Sequence, residues 1–431
     1  MFICDNIGEK GGHLTFAGRD VTLLAKKYGT PLYLMDENKI RENCRIYKNA
    51  FKKYFGENAL PLFASKAASF KRLYEIMTEE KMGTDVVSAG EIYTAVKAGF
   101  DLKNAYFHSN NKTDFDIEFA ISNGIGYFVA DNIEELSAID REAGKKGIKQ
   151  NVLLRITPGI DPHTFEAIST GKVDSKFGSA IETGQALEIT KQALGMENIK
   201  LCGFHCHIGS QIFETEPFFK AGLVMLDFIA DIKAKLGFEA EQLNLGGGYG
   251  VRYTESDPVF DIEKSIGELA KAMKEKAAAL KINMPKILME PGRSIVGNAG
   301  MTLYTAGTVK IIPGFKSYVS IDGGMPDNPR YALYKSDYTV YNASKTDKEV
   351  GFECSVVGRC CESGDIIQEN VNLVKPERGD IIAVLTTGAY NYSMASNYNR
   401  IGKPPVVMLD GEKDYIAVKG ETLEDIVRND I

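Results

Sequence analysis

At 431 residues and a net charge of −7, the chain is longer than one hydrophobic core usually spans, and it carries no clustered basic run. Two domains are therefore expected, and a nucleic-acid groove is not. A hydrophobic share of 44% and a charged share of 25% fit a soluble globular protein, with no apolar stretch near the roughly 18 residues of a membrane span.

The opening MFICDNIGEKGG lacks the basic and apolar regions of a secretion signal, and the seven cysteines form no CxxC array. A cytoplasmic location with reduced thiols, and no structural zinc, is the expectation. The first predicted elements are a helix over Asp20–Tyr28 and a strand at PLYLMD. Eight short apolar runs follow: Pro61–Ser65, Thr84–Val87, Ala105–His108, Tyr127–Ala130, Val152–Ile156, Leu201–His205, Leu243–Gly246 and Ile287–Glu290. Helical periodicity separates them; in DNIEELSAID, Ile133, Leu136 and Ile139 share a face, and Asp131 with Glu134 reads as a capping box.

Strand and helix in alternation predict a parallel sheet, and eight repeats allow closure into a (β/α)8 barrel over 36–294, with an open doubly wound sheet as competitor. After Arg293 the pattern changes to strand-like segments from MTLYTAGTVKII to PPVVML, separated by Gly, Pro and Asp. An antiparallel β-domain is expected there, assembled from 295–431 and the opening residues 1–35.

Polar residues gather where these strands end: Lys66, Ser88, His108, Asp131, Arg155, His207, Gly246–Gly248 and Glu290–Arg293. Active sites of barrels form at that face, and phosphates often bind after strands seven and eight. Gly246, Gly247 and Gly248 allow backbone N–H groups to approach an anion, although a tight turn reads equally well. Glu290 can pair with a pyridine nitrogen, or be a surface acid at a strand end. Arg293 can grip a carboxylate or phosphate with two hydrogen bonds. Lys66, flanked by small residues, can hold a carbonyl cofactor as a Schiff base, or simply close a strand. Together they suggest pyridoxal 5'-phosphate (PLP) chemistry. His205 and His207 share one face, but no third ligand follows at metal-site spacing; one stacking or acid–base histidine beside one structural histidine is expected, and no metal.

The motifs FASKA, HCHIGS, NLGGGYG, MEPGRSIV, MPDNPRYALY and GRCCESGD, in this order, are similar to those of the fold-type III PLP decarboxylases, which have an alanine-racemase-like barrel. Among these the chain most resembles the members acting on meso-diaminopimelate. The resemblance implies that Lys66 carries the cofactor, His207 stacks on its ring and Glu290 binds the ring nitrogen. It places Ser210, the three glycines, Gly292, Arg293 and Tyr390 around the phosphate. It assigns Arg293, Arg330, Tyr334, Tyr390 and Glu362 to the substrate, with Glu362 on the distal ammonium and Cys361 near the reacting carbon. It also implies a homodimer in which Cys361 and Glu362 come from the partner subunit. The implied reaction is decarboxylation at the D-centre to give L-lysine, the last step of lysine biosynthesis. Competing readings are a decarboxylase of ornithine, lysine or a D-isomer, an alanine-racemase-like activity, or a noncatalytic PLP-binding barrel.

Overall fold

The computed structural model describes residues 2–57, 59–160 and 175–431. They form two compact units, one of 44–250 with 260–292, the other of the two chain ends with Val251–Val259. In the first unit eight strands pair in parallel: β1 (Ala59–Ala64), β2 (Gly83–Val86), β3 (Ala105–Phe107), β4 (Tyr127–Ala130), β5 (Gln150–Thr157), β6 (Ile199–His205), β7 (Gln242–Asn244) and β8 (Lys286–Met289). The sheet closes where β8 meets β1, with Ile287 opposite Ala59 and Met289 opposite Pro61. Each strand coincides with one of the apolar runs, and closure decides against the open sheet.

Between successive strands lie α1 (Lys71–Glu79), α2 (Ala89–Lys97), α3 (Asp114–Ser122), α4 (Ile133–Lys145), α5 (Gln185–Leu194), α6 (Glu216–Leu236) and α7 (Ile262–Leu280). The capping residue of α4 lies one position later than the sequence suggests. Asn132, not Asp131, accepts the N–H of Glu135, because Asp131 is drawn inward beside Arg155 and buried. Ser88, grouped by sequence with the rim residues, instead caps α2 through Glu91 N–H.

Inside the barrel, Leu62, Tyr106, Val129, Leu153, Cys202 and Leu288 from six different strands form one cluster. Tyr106 stacks on Tyr127 with ring centroids 4.4 Å apart and donates its hydroxyl to Gln242 Oε1 at 2.9 Å. The barrel interior is thus a packed core, leaving chemistry to the strand ends.

In the second unit, strand Leu32–Asp36 sits between Gly300–Ile312, which it pairs antiparallel, and Val406–Asp410, which it pairs in parallel. Lys316–Ile321 and Phe352–Val357 also pair in parallel, so the sheet is mixed, though most of its pairings are antiparallel. Two strands of this sheet escaped the sequence reading, Ile366–Leu373 and Lys413–Val418, as did the separate small sheet of Ile7–Lys10, His13–Phe16 and Arg19–Asp20. Polar residues at half of the positions of Ile366–Leu373 hide its alternation. Leu14, Phe16, Leu24, Leu32 and Leu34 from the N-terminal end share a core with Met301, Leu303, Leu385 and Val407, so both ends of the chain build this unit, as expected. Asp20 caps the helix Val21–Tyr28 through Thr22 and Leu23 N–H.

A buried acid in this unit gives a pH test. Asp327 accepts the Tyr304 hydroxyl and, at 2.9 Å, the Gly324 N–H. Burial, only partly offset by those two bonds, pushes its carboxyl up to about 7. The folded state therefore holds this proton more tightly than the unfolded chain does. Its contribution to stability is complete below about pH 4 and is lost as pH rises toward 7. Asp327→Asn stays neutral throughout, so its Tm relative to wild type should rise by several degrees between pH 4 and 7. A constant difference across that range would reject the raised carboxyl.

Candidate active site

At the C-terminal end of β1 the chain enters a short turn, Ser65–Ala67, that leaves Lys66 exposed between two buried neighbours. Two acids from the next βα unit, buried Asp85 and half-buried Glu91, hold the turn. Ser65 N–H donates to Asp85 Oδ1 at 3.0 Å, and Ser65 Oγ donates to Glu91 Oε2 at 2.9 Å. Val87 N–H donates to the same Glu91 oxygen at 2.6 Å. Burial, with the charge of Glu290 added, holds the Asp85 carboxyl well above its ordinary range, against the pull of Lys66. The small residues around Lys66 also serve packing. Ala64 donates its N–H to Pro291 O at 3.0 Å, and a Cβ on Gly292 would meet Ala64 Cβ at 2.8 Å and Ala67 Cβ at 3.2 Å. They let the strand-eight loop close on strand one.

Glu290 follows β8, and its buried carboxylate is held on both oxygens. Asn244, at the end of β7 and fully buried, donates Nδ2–H to Oε1 at 2.6 Å. His108, after β3, places Nε2 2.7 Å from that oxygen, and His205, ending β6, places Nε2 3.2 Å from Oε2. Burial would raise the carboxyl; attraction to the charged forms of His108 and His205, then their hydrogen bonds, outweighs it and holds Glu290 well below the usual range. Burial works the other way on the imidazoles, lowering His205 to about 3 and His108 below its ordinary value against the pull of Glu290. The structural partner expected of the His205–His207 pair is thus His205, and its task is Glu290. Asn244 escaped the sequence reading, although its position two residues before Gly246, at a strand end, was a usable signal.

His207 is half-buried and takes the Gly247 N–H on Nδ1 at 3.3 Å. Burial, then the charges of Lys66 and Arg155, keep its imidazole neutral. The three glycines are required first by packing: a Cβ on Gly247 would lie 2.1 Å from Glu290 O, and one on Gly248 2.4 Å from Gly209 O. Gly248 also has φ +125°, outside the range of ordinary side chains. Gly246 N–H is given to Asn244 Oδ1 at 2.9 Å. With Gly247 committed to His207, Gly248 alone of the three keeps an N–H with no partner among the described residues. The anion cradle read from the triple glycine thus narrows, within that triplet, to one donor. Ser210 is half-buried in the loop after β6. An exposed lysine, a neutral imidazole face, an ionised buried carboxylate and an open backbone N–H fit the amine-bound aldehyde, ring, ring nitrogen and phosphate of PLP.

In the second unit Arg293 and Arg330 share one aromatic partner, Tyr253. Arg293 donates Nη1–H to the Tyr253 hydroxyl at 2.7 Å and lies 4.7 Å from the Tyr390 ring centroid. Arg330 stacks 4.2 Å over Tyr253 and donates Nη1–H to the Tyr338 hydroxyl at 3.0 Å. Arg330 is only 4% exposed. Its Nε has no hydrogen-bond partner, and it pairs with no carboxylate among the described residues. A buried guanidinium without a counter-ion is a ready site for an anionic ligand. Tyr334, half-buried, ends the short helix Arg330–Tyr334. Cys361 and Glu362 are exposed, in a loop tied at its base by Asp365, which accepts N–H groups from Cys360 at 2.7 Å and Met325 at 2.6 Å. No sequence signal pointed to Tyr253, Tyr338 or Asp365, whose roles arise from distant packing.

Residues 37–297 match the family model described as "Pyridoxal-dependent decarboxylase, pyridoxal binding domain". The chain is 43% identical over 420 residues to the diaminopimelate decarboxylase of Bacillus subtilis, a match covering 97% of this chain and 95% of that one. The fold is similar to that of the diaminopimelate decarboxylase from "m. jannaschii" in complex with L-lysine, with a TM-score of 0.92, 35% identity and coverage of 100% and 99%. It is also similar to the Helicobacter pylori diaminopimelate decarboxylase complexed with L-lysine, with a TM-score of 0.86, 33% identity and coverage of 95% and 98%.

Proposed function

Because this chain belongs to the pyridoxal-dependent decarboxylases, in the diaminopimelate decarboxylase family, we infer that it decarboxylates meso-2,6-diaminopimelate at its D-centre, giving L-lysine and CO2. Its cofactor is PLP. When bound, PLP supplies the electron sink that receives the electron pair of the broken carbon–carboxylate bond. The observation that carries the reading is Glu290, a buried acid held ionised at the end of the strand that pairs with the one leading to Lys66.

Lys66 holds the cofactor covalently. Glu290 faces the ring nitrogen and keeps a proton there, because an ionised carboxylate favours the positive form of its neighbour. His207 lies against the ring as a neutral face, oriented by the Gly247 N–H on its Nδ1. Ser210, Gly246, Gly247, Gly248, Gly292, Arg293 and Tyr390 surround the phosphate.

The far end of the substrate falls to Arg293, Arg330, Tyr334, Tyr390 and Glu362. The buried, carboxylate-free environment of Arg330 supports this assignment: a distal carboxylate would supply the missing negative charge. Glu362 takes the distal ammonium, and Cys361 lies beside the reacting carbon, both given by the partner subunit of a homodimer. The exposure of Cys361 and Glu362 on one chain supports donation across an interface. A cytoplasmic location is part of the proposal; among the described residues no helix is long and apolar enough to cross a membrane.

Turnover of purified holoenzyme with meso-diaminopimelate, D-lysine, L-lysine and L-ornithine, resolving CO2 and product chirality, tests the reading. Release of CO2 from diaminopimelate with L-lysine as product supports it; comparable or faster turnover of L-ornithine overturns it. Arg330→Met should weaken diaminopimelate by about 2–5 kcal/mol in kcat/KM, the cost of truncating one partner of a buried charged contact. The loss for D-lysine, which lacks the distal carboxylate, should be smaller. Equal losses for both would place carboxylate recognition elsewhere.

A further inference from the structure

We propose that His108, Asn244 and His205 are positioning residues that clamp both carboxylate oxygens of Glu290 and so fix it against the ring nitrogen of the bound cofactor. The proposal rests on the reading of Glu290 as the ring-nitrogen partner and adds what makes it one. Three side chains from the ends of β3, β7 and β6 converge on one carboxylate. His108 Nε2 stands 2.7 Å and Asn244 Nδ2 2.6 Å from Oε1, and His205 Nε2 stands 3.2 Å from Oε2. The imidazoles meet edge to face, with centroids 4.7 Å apart and planes at 68°, so each limits the rotation of the other. All four groups are buried.

The chemistry of the clamp matters as much as its shape. A protonated histidine would form an ion pair with Glu290 and cancel the charge that the ring nitrogen needs. The amide of Asn244 holds the carboxylate without cancelling its charge, and burial favours the neutral form of both imidazoles, His205 within hydrogen-bond reach and His108 in close contact. Asn244 is neutral at every pH, and its Oδ1 takes the Gly246 N–H at 2.9 Å. That second bond fixes which end of its amide faces Glu290. A buried acid left without these donors would take up a proton and lose its hold on the ring. The two histidines and Glu290 also have donor atoms within 4.8 Å of one another, as a metal site would, which the test must separate.

The test reads the ring nitrogen directly. Holoenzyme is loaded with PLP labelled with 15N in the ring, and its resonance is recorded without substrate for wild type, His205→Phe, His205→Gln, Asn244→Ala and Glu290→Gln. Wild type should show the protonated ring. His205→Phe and Asn244→Ala should shift toward the neutral-ring position marked by Glu290→Gln. Their kcat should fall about 10- to 100-fold with little change in KM, as when a partner that orients a functional group is removed. His205→Gln, which restores an N–H donor, should keep the protonated resonance. A resonance unchanged in both His205→Phe and Asn244→Ala overturns the proposal, and so does a lowered Tm with the ring still protonated, which marks a purely structural role. Stoichiometric zinc binding by the cofactor-free protein, abolished in His205→Phe, would overturn it in favour of a metal site. If His205→Phe does not fold, Asn244→Ala carries the same readout. Because no substrate is present, the result stands apart from the assay of diaminopimelate turnover.

Discussion

Lys66→Ala should lower kcat by about three orders of magnitude or more while the protein still folds and retains some cofactor, since only the covalent link and its amine are lost. Lys66 closes β1 in a turn pinned by Asp85 and Glu91, so its backbone position does not depend on its own side chain. The other lysine prominent near the barrel rim, Lys112, is ill suited to replace it. Lys112 is buried and already gives its protons to Ser109 O, Val129 O and, at 2.6 Å, Glu135 Oε1. Borohydride reduction of holoenzyme followed by peptide mass analysis should therefore place the adduct on Lys66. An adduct on any other lysine, or near-normal turnover by Lys66→Ala, would sink the assignment.

Mixing two inactive variants should restore activity. Lys66→Ala lacks the cofactor-bearing amine, and Glu362→Ala lacks the group proposed to meet the distal ammonium. If each active site takes Lys66 from one subunit and Glu362 from the other, one of the two sites in a heterodimer contains both native residues. Random exchange at equal concentrations makes about half of the dimers heterodimers, so activity should approach about a quarter of wild type. Glu362 is exposed and, among the described residues, its side chain accepts only the Gly364 N–H, at a long 3.4 Å. Its removal should therefore cost little fold stability and leave the subunits competent to exchange. Verified exchange without recovered activity would mean that Lys66 and Glu362 act within one subunit, or that Glu362 lies outside the site. Lys66→Ala mixed with Arg330→Met provides a second arrangement, reporting whether those two residues also come from different subunits.

Much of the architecture was legible along the chain because each element answers to its neighbours in sequence. The eight apolar runs became the eight barrel strands, and Asp20 capped the helix Val21–Tyr28. Lys66, Glu290 and the triple glycine stood out because strand ends of a barrel face the same way, so a polar residue closing an apolar run already has an address. The same reasoning missed the cap of α4 by one residue. Asp131 and Asn132 are equally good caps by propensity, and only the burial of Asp131 beside Arg155 chose between them.

The sequence by itself determined the alternation of strand and helix, the change of pattern after Arg293, and the residue types able to serve a carbonyl cofactor. Tertiary structure alone decided how those residues are tuned. His108, His205 and Asn244 lie 182, 85 and 46 positions before Glu290, and no local pattern connects them. They meet because β3, β6, β7 and β8 belong to one closed sheet whose strand ends point to the same rim. Tyr253 likewise reaches Arg293 and Arg330 only through the fold. The charge state of a buried group depends on everything packed around it, and that surrounding shell is drawn from the whole chain.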